Sequence, residues 1–286
     1  MRIAKRIFLI LCAVLFLAGC AEKPQKKQIE KVQEEETQKK AEQEIEKQRE
    51  LEAQRALEEQ KLKEAEAKAQ EKKSKVIVLD PGHSAVVAEG TEPLGPGSPE
   101  QKAADTSGTS GISSGVPEYE LTLNISVQLK KELENRGYTV LMTRESNDIP
   151  MSCIARAEVA NNAGADAYVR IHANGSDDQA ARGAMTICTT PGSPYVPELY
   201  TPSRQLSDLI IHQLCETTGC KNEGVWETDS MSGNNWSKVP VTIVEMGYMT
   251  NPEEDMLMQT PEYQEKIVQG IAAGIDAFLG YDSPKR

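Results

Sequence analysis

Residues 76–83 read Val-Ile-Val-Leu-Asp-Pro-Gly-His. A short run of Val, Ile and Leu that is stopped by Pro-Gly is typical of a buried strand that ends in a loop. His83 therefore follows the carboxyl end of a predicted strand. In open α/β sheets, functional side chains gather at this end of the strands, so His83 is a candidate site residue.

The alternation of strand and helix continues after residue 83. Further strands are predicted over 138–142, 167–171, 184–188 and 239–244, and helices over 118–136, 154–162, 204–218 and 261–279. Residues 84–117 are rich in Gly, Pro, Ser and Thr, which predicts a long loop that is functional or mobile. The acidic run after Pro252 is interpreted as the first turn of the last helix. The alternation predicts an α/β fold, a three-layer α/β/α sandwich with a mostly parallel twisted sheet.

The first twenty residues have the pattern of an export signal. Three basic residues precede an unbroken apolar run at 7–18, which is short for a membrane span but typical of a secretory signal. Leu-Ala-Gly-Cys at 17–20 resembles the lipobox of bacterial lipoproteins, which implies a signal peptide at 1–19 and a diacylated Cys20. An ordinary signal peptide or an uncleaved anchor is the alternative. We expect an exported protein that a lipid at Cys20 anchors to the cell membrane.

A charged segment separates this amino terminus from the rest of the chain. Residues 21–75 hold 15 basic and 15 acidic side chains and consist mostly of Glu, Lys, Gln, Ala and Arg. These residues favour helix, but the sparse apolar positions do not hold a heptad repeat. The segment is therefore predicted to be a solvated, largely helical or fluctuating spacer, with weak coiled-coil self-association as the alternative. The predicted organisation is a signal peptide at 1–19, a lipidated Cys and spacer at 20–75, and a catalytic domain at 76–286.

Charge and cysteine content exclude some classes of protein. Residues 76–286 carry 14 basic and 29 acidic side chains, a net charge of −15, which argues against nucleic acid as a partner. Four cysteines in this region are too few for a disulfide-built scaffold. Cys215 and Cys220 are close enough to pair across a turn at 217–219, or they remain free buried thiols.

Two histidines and a glutamate stand at the ends of predicted strands. His83 and His172 each follow one strand, and Glu245 ends a third. If these strands are neighbours, the three side chains can converge on one edge of the sheet. A catalytic zinc ion requires three ligands of the His/His/Glu type, one open position, and a further carboxylate to accept a proton. The third histidine, His212, lies among apolar helix positions and is interpreted as a packed or half-exposed residue.

Residues 76–280 resemble the zinc-dependent N-acetylmuramoyl-L-alanine amidases of amidase type 3, which cut the amide between the lactyl group of muramic acid and the L-alanine of the stem peptide. Three segments carry the resemblance: Val-Ile-Val-Leu-Asp-Pro-Gly-His at 76–83, Arg-Ile-His-Ala-Asn at 170–174, and Val-Pro-Val-Thr-Ile-Val-Glu-Met-Gly-Tyr-Met-Thr-Asn at 239–251. The resemblance implies that His83, Glu118 and His172 bind Zn²⁺ and that Glu245 is the catalytic glutamate. Glu118 stands five residues before Leu123, which matches the spacing in the family, and Glu120 is its competitor.

The chain departs from the family pattern at three places. Arg170 stands where the family usually has Ser, Ser84 follows His83 where Gly is usual, and the loop at 84–117 is longer than the family norm. Thr143, Arg144 and Arg156 match family positions that are interpreted as structural or as support for the pocket. A partner for His83 or His172 is also expected, either Asp80 or a backbone carbonyl group.

The resemblance implies a peptidoglycan hydrolase that faces the cell wall, with the muramoyl peptide as substrate and Glu245 as the group that accepts a proton from water. Two alternatives remain open from the residues. One is a zinc peptidase that cuts within the stem peptide, and the other is a non-catalytic, tethered wall-binding protein.

Overall fold

A computed structural model of the chain describes residues 24–283, so the predicted signal peptide and Cys20 lie outside the described residues. The chain divides into two units between residues 66 and 67. Helix α1 (Pro24–Ser74) begins in the first unit, and its large apolar side chains there are roughly half exposed to solvent. Within residues 24–283, none of the helices combines the length and the apolar character that a membrane crossing requires.

The second unit is built on a six-stranded sheet. Its six strands are β1 (Val76–Pro81), β4 (Thr139–Met142), β5 (Ala167–Asn174), β6 (Ala184–Cys188), β7 (Asn222–Glu227) and β8 (Val241–Tyr248). Strands β2 (Thr91–Pro93) and β3 (Gln101–Ala103) form a separate hairpin. The order across the sheet is β4-β1-β5-β8-β6-β7. All neighbours run parallel except β6, which is antiparallel to β8. The predicted α/β fold with a mostly parallel sheet is confirmed.

Helices cover both faces of this sheet. They are α2 (Glu118–Asn135), α3 (Cys153–Ala163), α4 (Tyr200–Thr218), α5 (Ser232–Asn235), α6 (Pro252–Met258) and α7 (Pro261–Phe278). Side chains of alternate strand residues point to opposite faces. Ile77 and Leu79 of β1 belong to a large apolar core that includes α2, α4 and α7, whereas Val78 packs with Ala157 and Ala160 of α3. His172 and Glu245 lie on this second, smaller face near the carboxyl ends of β5 and β8, whereas Glu118 begins α2 on the first face.

Five details differ from the sequence prediction. The loop at 84–117 contains the β2–β3 hairpin, and the edge strand β7 and the short helix α5 were not predicted. The assignment of the acidic run after Pro252 to the last helix was wrong, because this run begins the separate helix α6, which the side chain of Asn251 caps. Strands β5 and β8 also extend further than predicted, so His172 lies within β5 rather than after it, and Glu245 lies within β8 rather than at its end.

Two other side-chain predictions concern residues away from the strand ends. The sulfur atoms of Cys215 and Cys220 lie 3.2 Å apart at the end of α4, and both are free thiols. His212 is exposed on α4 and does not join a group of metal-binding side chains in the described part of the chain.

Candidate metal centre and catalytic cleft

His83, Glu118 and His172 converge on one point above the sheet. Each offers one ligand atom, and these atoms lie within 4.8 Å of one another. Oε1 of Glu118 lies 3.2 Å from Nε2 of His83 and 3.0 Å from Nδ1 of His172. The two imidazole rings meet edge to face, with 4.8 Å between their centroids. The exposed Glu120, the competitor of Glu118 in the sequence prediction, points elsewhere.

Strand register places the side chains of Asp80, Arg170, His172 and Glu245 on one face of the sheet. β5 pairs with β8 so that His172 lies directly opposite Glu245, and β1 pairs with β5 so that Asp80 lies opposite Arg170. Gly82 then passes so close to His172 that any Cβ atom at this position would collide with the imidazole ring. Gly82, which directly follows β1, therefore leaves room for the imidazole of His172.

Glu118 is fixed at the first turn of α2 by the backbone. Its Oε2 accepts a hydrogen bond from the N–H of Thr109 at 3.0 Å, and its Oε1 accepts one from the N–H of Ala173 at 3.1 Å. Burial on its own would raise the pKa of this carboxyl, but hydrogen bonds from His172 and His83 hold the pKa well below its usual range. The group is therefore an anion, as a carboxyl group must be in order to bind a metal.

Each imidazole has a defined environment. Nδ1 of His83 lies 2.8 Å from the carbonyl oxygen of Thr106, which requires a proton on Nδ1 and leaves Nε2 free for a metal. Burial lowers the pKa of His83, but its hydrogen bond to Glu118 outweighs burial and the net pKa is raised. Burial lowers the pKa of His172 to about 4, so this ring is neutral near pH 7. The expected partner of a histidine is thus a backbone carbonyl group, and it comes from the long loop.

Asp80, the other expected partner, has a different role. Its Oδ1 accepts hydrogen bonds from Nη1 of Arg156 at 2.9 Å and from the hydroxyl of Thr143 at 2.6 Å. Its Oδ2 accepts them from Nε of Arg170 at 3.0 Å and from the hydroxyl of Tyr168 at 3.1 Å. Burial alone would raise the pKa of Asp80, yet Arg156 and Arg170 hold it well below its usual range. A buried carboxylate therefore joins β1, β4, α3 and β5 beneath the site.

Glu245 lies beside the metal-binding group in a cavity of about 280 Å³. His83, His172 and Arg170 line the same cavity. Oε2 of Glu245 is buried and has no hydrogen-bond partner within residues 24–283. Burial and the nearby negative charge of Glu118 raise the pKa of Glu245 to about 8. A carboxyl group with such a pKa can accept and return a proton near neutral pH.

The family model described as N-acetylmuramoyl-L-alanine amidase matches residues 77–277. The chain belongs to this amidase family. The family suggested by the sequence motifs is thereby confirmed, and the match covers the sheet, the metal-binding group and Glu245.

Similar proteins agree with this assignment. An N-acetylmuramoyl-L-alanine amidase of Mycobacterium tuberculosis is 28% identical over 221 residues, which cover 74% of this chain and 89% of that protein. The N-acetylmuramoyl-L-alanine amidase AmiA of Escherichia coli is 26% identical, over 77% of this chain and 82% of its own length. The crystal structure of the amidase Ami1 from Mycobacterium smegmatis superposes with a TM-score of 0.67 at 27% identity, over 73% of this chain and 98% of that one.

The donor set of the amidase fits a zinc ion. Two imidazole nitrogens and one carboxylate oxygen are the ligands of catalytic zinc sites, with a further position left open. Nε2 of His83 and Nδ1 of His172 lie 3.2 Å and 3.0 Å from Oε1 of Glu118. Two imidazole nitrogens around one anionic carboxylate oxygen fit a metal cation at this point.

Sequence reasoning missed the residues of the long loop that complete the amidase site. Thr106 contributes its carbonyl and its hydroxyl to His83, and Thr109 contributes its N–H to Glu118, but a Thr in a loop is too common to be a signal. Gly108 has a φ of +74°, and a Cβ atom there would lie 2.6 Å from Oε2 of Glu118. The one available signal was the length of a glycine-rich loop next to a predicted site.

Proposed function

We propose that the protein is a zinc-dependent N-acetylmuramoyl-L-alanine amidase that hydrolyses the amide between the lactyl group of muramic acid and the L-alanine of the peptidoglycan stem peptide. The observation that carries this proposal is the convergence of His83, Glu118 and His172 beside the buried, unpartnered carboxyl of Glu245. Membership of the amidase family supports the choice of bond.

Each of the four side chains has a distinct role in this proposal. His83, Glu118 and His172 would hold the zinc ion, which supplies a Lewis acid that polarises the scissile carbonyl and makes water more acidic. Glu245 accepts the proton of the attacking water and returns it to the amine of L-alanine as that group leaves. Since Oε2 of Glu245 has no hydrogen-bond partner within residues 24–283, it is free to take and give this proton.

The proposal also includes location. Peptidoglycan lies outside the cytoplasmic membrane, so an enzyme that cuts it has to be exported. We infer that residues 1–19 act as the export signal and that Cys20 carries the lipid, with residues 20–75 as the spacer before the catalytic domain. Incorporation of a labelled fatty acid into the protein produced in a bacterium tests this inference. The native chain is expected to take up the label, and the Cys20→Ser variant is expected not to.

The products formed from peptidoglycan distinguish the amidase from the two alternatives, a zinc peptidase and a tethered binding protein. An amidase releases new amino termini that are L-alanine, whereas a peptidase leaves L-alanine on the sugar. A binding protein releases neither.

The experiment measures zinc content and new amino termini after incubation with purified peptidoglycan. It compares the unchanged protein with Glu245→Gln and with Glu253→Gln, a matched change at an exposed position on α6. We expect one zinc per chain in all three, and new N-terminal alanine from all but Glu245→Gln. New termini other than alanine would favour the peptidase. Equal activity of Glu245→Gln would remove Glu245 from the mechanism.

A further inference from the structure

Arg170 has a hydrogen-bonding group that the fold does not use. It lies in β5 two residues before His172, so both side chains point to the same face of the sheet. Nε of Arg170 donates to Oδ2 of Asp80 at 3.0 Å, and Nη1 donates to Oδ1 of Asn234 at 3.2 Å. Nη2 makes no hydrogen bond within residues 24–283. The residue is 5% exposed and lines the same cavity as His172 and Glu245.

The positive charge at this point is only partly neutralised. Asp80 is shared between Arg170 and Arg156, so one carboxylate serves two guanidinium groups. Asp105 lies 3.9 Å from Nη2 of Arg156 and helps to neutralise that residue instead. Glu245 is not within ion-pair distance of Arg170. The guanidinium therefore faces the cavity with an unmatched charge and two free N–H groups.

The structure holds this guanidinium in place. Asp80 and Asn234 fix two of its three nitrogens, and the α5 backbone passes so close that a Cβ atom at Gly233 would lie 2.6 Å from Nη1. A fixed guanidinium loses little conformational entropy when it binds an anion, and its planar array of donors matches a carboxylate. A Ser at this position, as is usual in the family, could neither reach the cavity in this way nor carry the charge.

We propose that Arg170 forms a subsite in the cleft that binds a free carboxylate of the stem peptide. This inference rests on the proposed function, because it assigns part of the same substrate. The residue after L-alanine in the stem is a D-glutamate that is linked through its side chain, so its α-carboxyl group is either free or amidated. The two-residue separation of Arg170 and His172 corresponds to roughly 6.6 Å along a strand. Two residues of a peptide cover a similar distance, of about 7 Å.

The subsite predicts a preference between two substrates that differ in a single group. Muramoyl peptides with a free α-carboxylate on the D-glutamate are compared with peptides that carry a carboxamide there. Hydrogen bonds to charged groups contribute enough for a preference of about 10- to 100-fold in kcat/KM for the carboxylate. In Arg170→Gln we expect this preference to fall to about threefold or less, through a higher KM for the carboxylate substrate alone. Arg170→Lys keeps the charge and should retain part of the preference for the carboxylate substrate.

Arg204→Gln is the matched control, because Arg204 lies in α4 on the other face of the sheet. It should keep the full preference. If Arg170→Gln lowered kcat for both substrates equally, Arg170 would act only as support for Asp80, and the subsite would be disproved. A native enzyme that did not distinguish the two substrates would disprove it as well.

Binding separates this inference from the proposed function. Calorimetric titration of the Glu245→Gln protein with each muramoyl peptide measures affinity without turnover. Tighter binding of the carboxylate form, lost in the Arg170→Gln/Glu245→Gln double variant, supports the subsite even if the native protein hydrolyses neither substrate. Equal binding of the two peptides overturns the subsite and leaves the amidase proposal unaffected.

Discussion

Glu118 contacts both imidazoles, and its charge is the feature that a metal requires. Glu118→Gln keeps the shape of the side chain and removes the charge. We expect zinc affinity to fall by more than the ~10- to 100-fold that is typical when a supporting partner of a ligand is lost. Competition with a chromophoric chelator measures this affinity. Glu120→Gln, two residues along and exposed, is the control, and a larger loss there would exchange the roles of the two glutamates.

Asp80 stabilises the fold from beneath the same site. Asp80→Asn leaves Arg156 and Arg170 buried without their counter-charge, and breaking a buried pair in this way costs about 3–5 kcal/mol. Because the folded pKa of Asp80 is lowered, its contribution is complete above the ordinary carboxyl pKa of 3.8 and is lost as the pH falls toward the lower folded pKa. Urea unfolding at pH 7 and at pH 3 should therefore show a smaller difference between variant and native protein at pH 3.

Asp177→Asn, at an exposed position, is the control for this measurement and should leave the unfolding midpoint nearly unchanged. A constant difference between Asp80→Asn and the native protein at both pH values would mean that the ionised carboxylate is not what stabilises the folded state.

The sequence predicts the side chains of the site better than their supports. His83, His172 and Glu245 could be placed because each belongs to an apolar strand whose end is visible in the sequence. The shared role of Asp80 could not be predicted, since it depends on which strands are neighbours. The part played by Thr106 could not be predicted either, because its shorter contact to His83 is through the backbone carbonyl, which any residue type would provide.

The long loop between β1 and α2 is attached to α6 through one carboxylate. Asp255 accepts hydrogen bonds from the N–H groups of Ser113 and Ser114, both at 2.8 Å, and from the hydroxyl of Ser114 at 2.7 Å. In Asp255→Ala, two backbone donors lose their acceptor, which costs about 1–3 kcal/mol per group. We expect amide hydrogen exchange at Ser113 and Ser114 to accelerate by about 10- to 100-fold, as mass spectrometry can measure.

The same variant should bind zinc more weakly, because this loop also supplies the backbone groups that hold His83 and Glu118. Glu253→Ala changes an exposed acidic residue of the same helix and should alter neither quantity. Unchanged exchange in Asp255→Ala would show that other contacts hold the loop.

Elements with a strong apolar pattern were predictable, and those with a weak one were not. β1, β5 and β8 are central strands with long apolar runs, so their positions follow from the sequence. β7 is an edge strand with Trp226 half exposed, and its residues alternate too weakly to stand out. The β2–β3 hairpin has three residues per strand, and α5 has four residues. Such short elements depend on tertiary contacts, for example the hydrogen bond from Nε1 of Trp236 to the carbonyl of Pro93.

The order of segments along the chain relates charge to location. The predicted signal is basic, the spacer is electrically neutral, and residues 76–286 carry a net charge of −15. Anionic lipid headgroups repel an acidic domain, so the proposed membrane attachment is assigned to the amino terminus. These charges follow from composition alone, which is why the organisation of the chain could be proposed from sequence although residues 1–23 lie outside the described structure.

The end of α1 belongs to the second unit, residues 67–286, and Lys72 joins it to the folded domain. Its Nζ lies 2.7 Å from Oδ1 of the buried Asp276, and 4.5 Å and 5.0 Å from the ring centroids of Tyr138 and Tyr281. Asp276 keeps its ion pair with Arg136 when Lys72 is removed. We therefore expect Lys72→Ala to lower the free energy of unfolding by about 1–2 kcal/mol, the sum of a partly buried ion pair and cation–π contacts.

Fluorescence in urea measures this loss in the full chain without interference from the spacer, since both tryptophans lie between residues 222 and 240. Lys73→Ala, exposed on the same turn, should unfold like the native protein. A fragment that begins at residue 76 should show the same loss as Lys72→Ala, whereas one that begins at residue 67 should not. If all of these proteins unfolded at the same urea concentration, the folded domain would begin at β1, as the apolar pattern alone predicts, and α1 would serve only as a spacer.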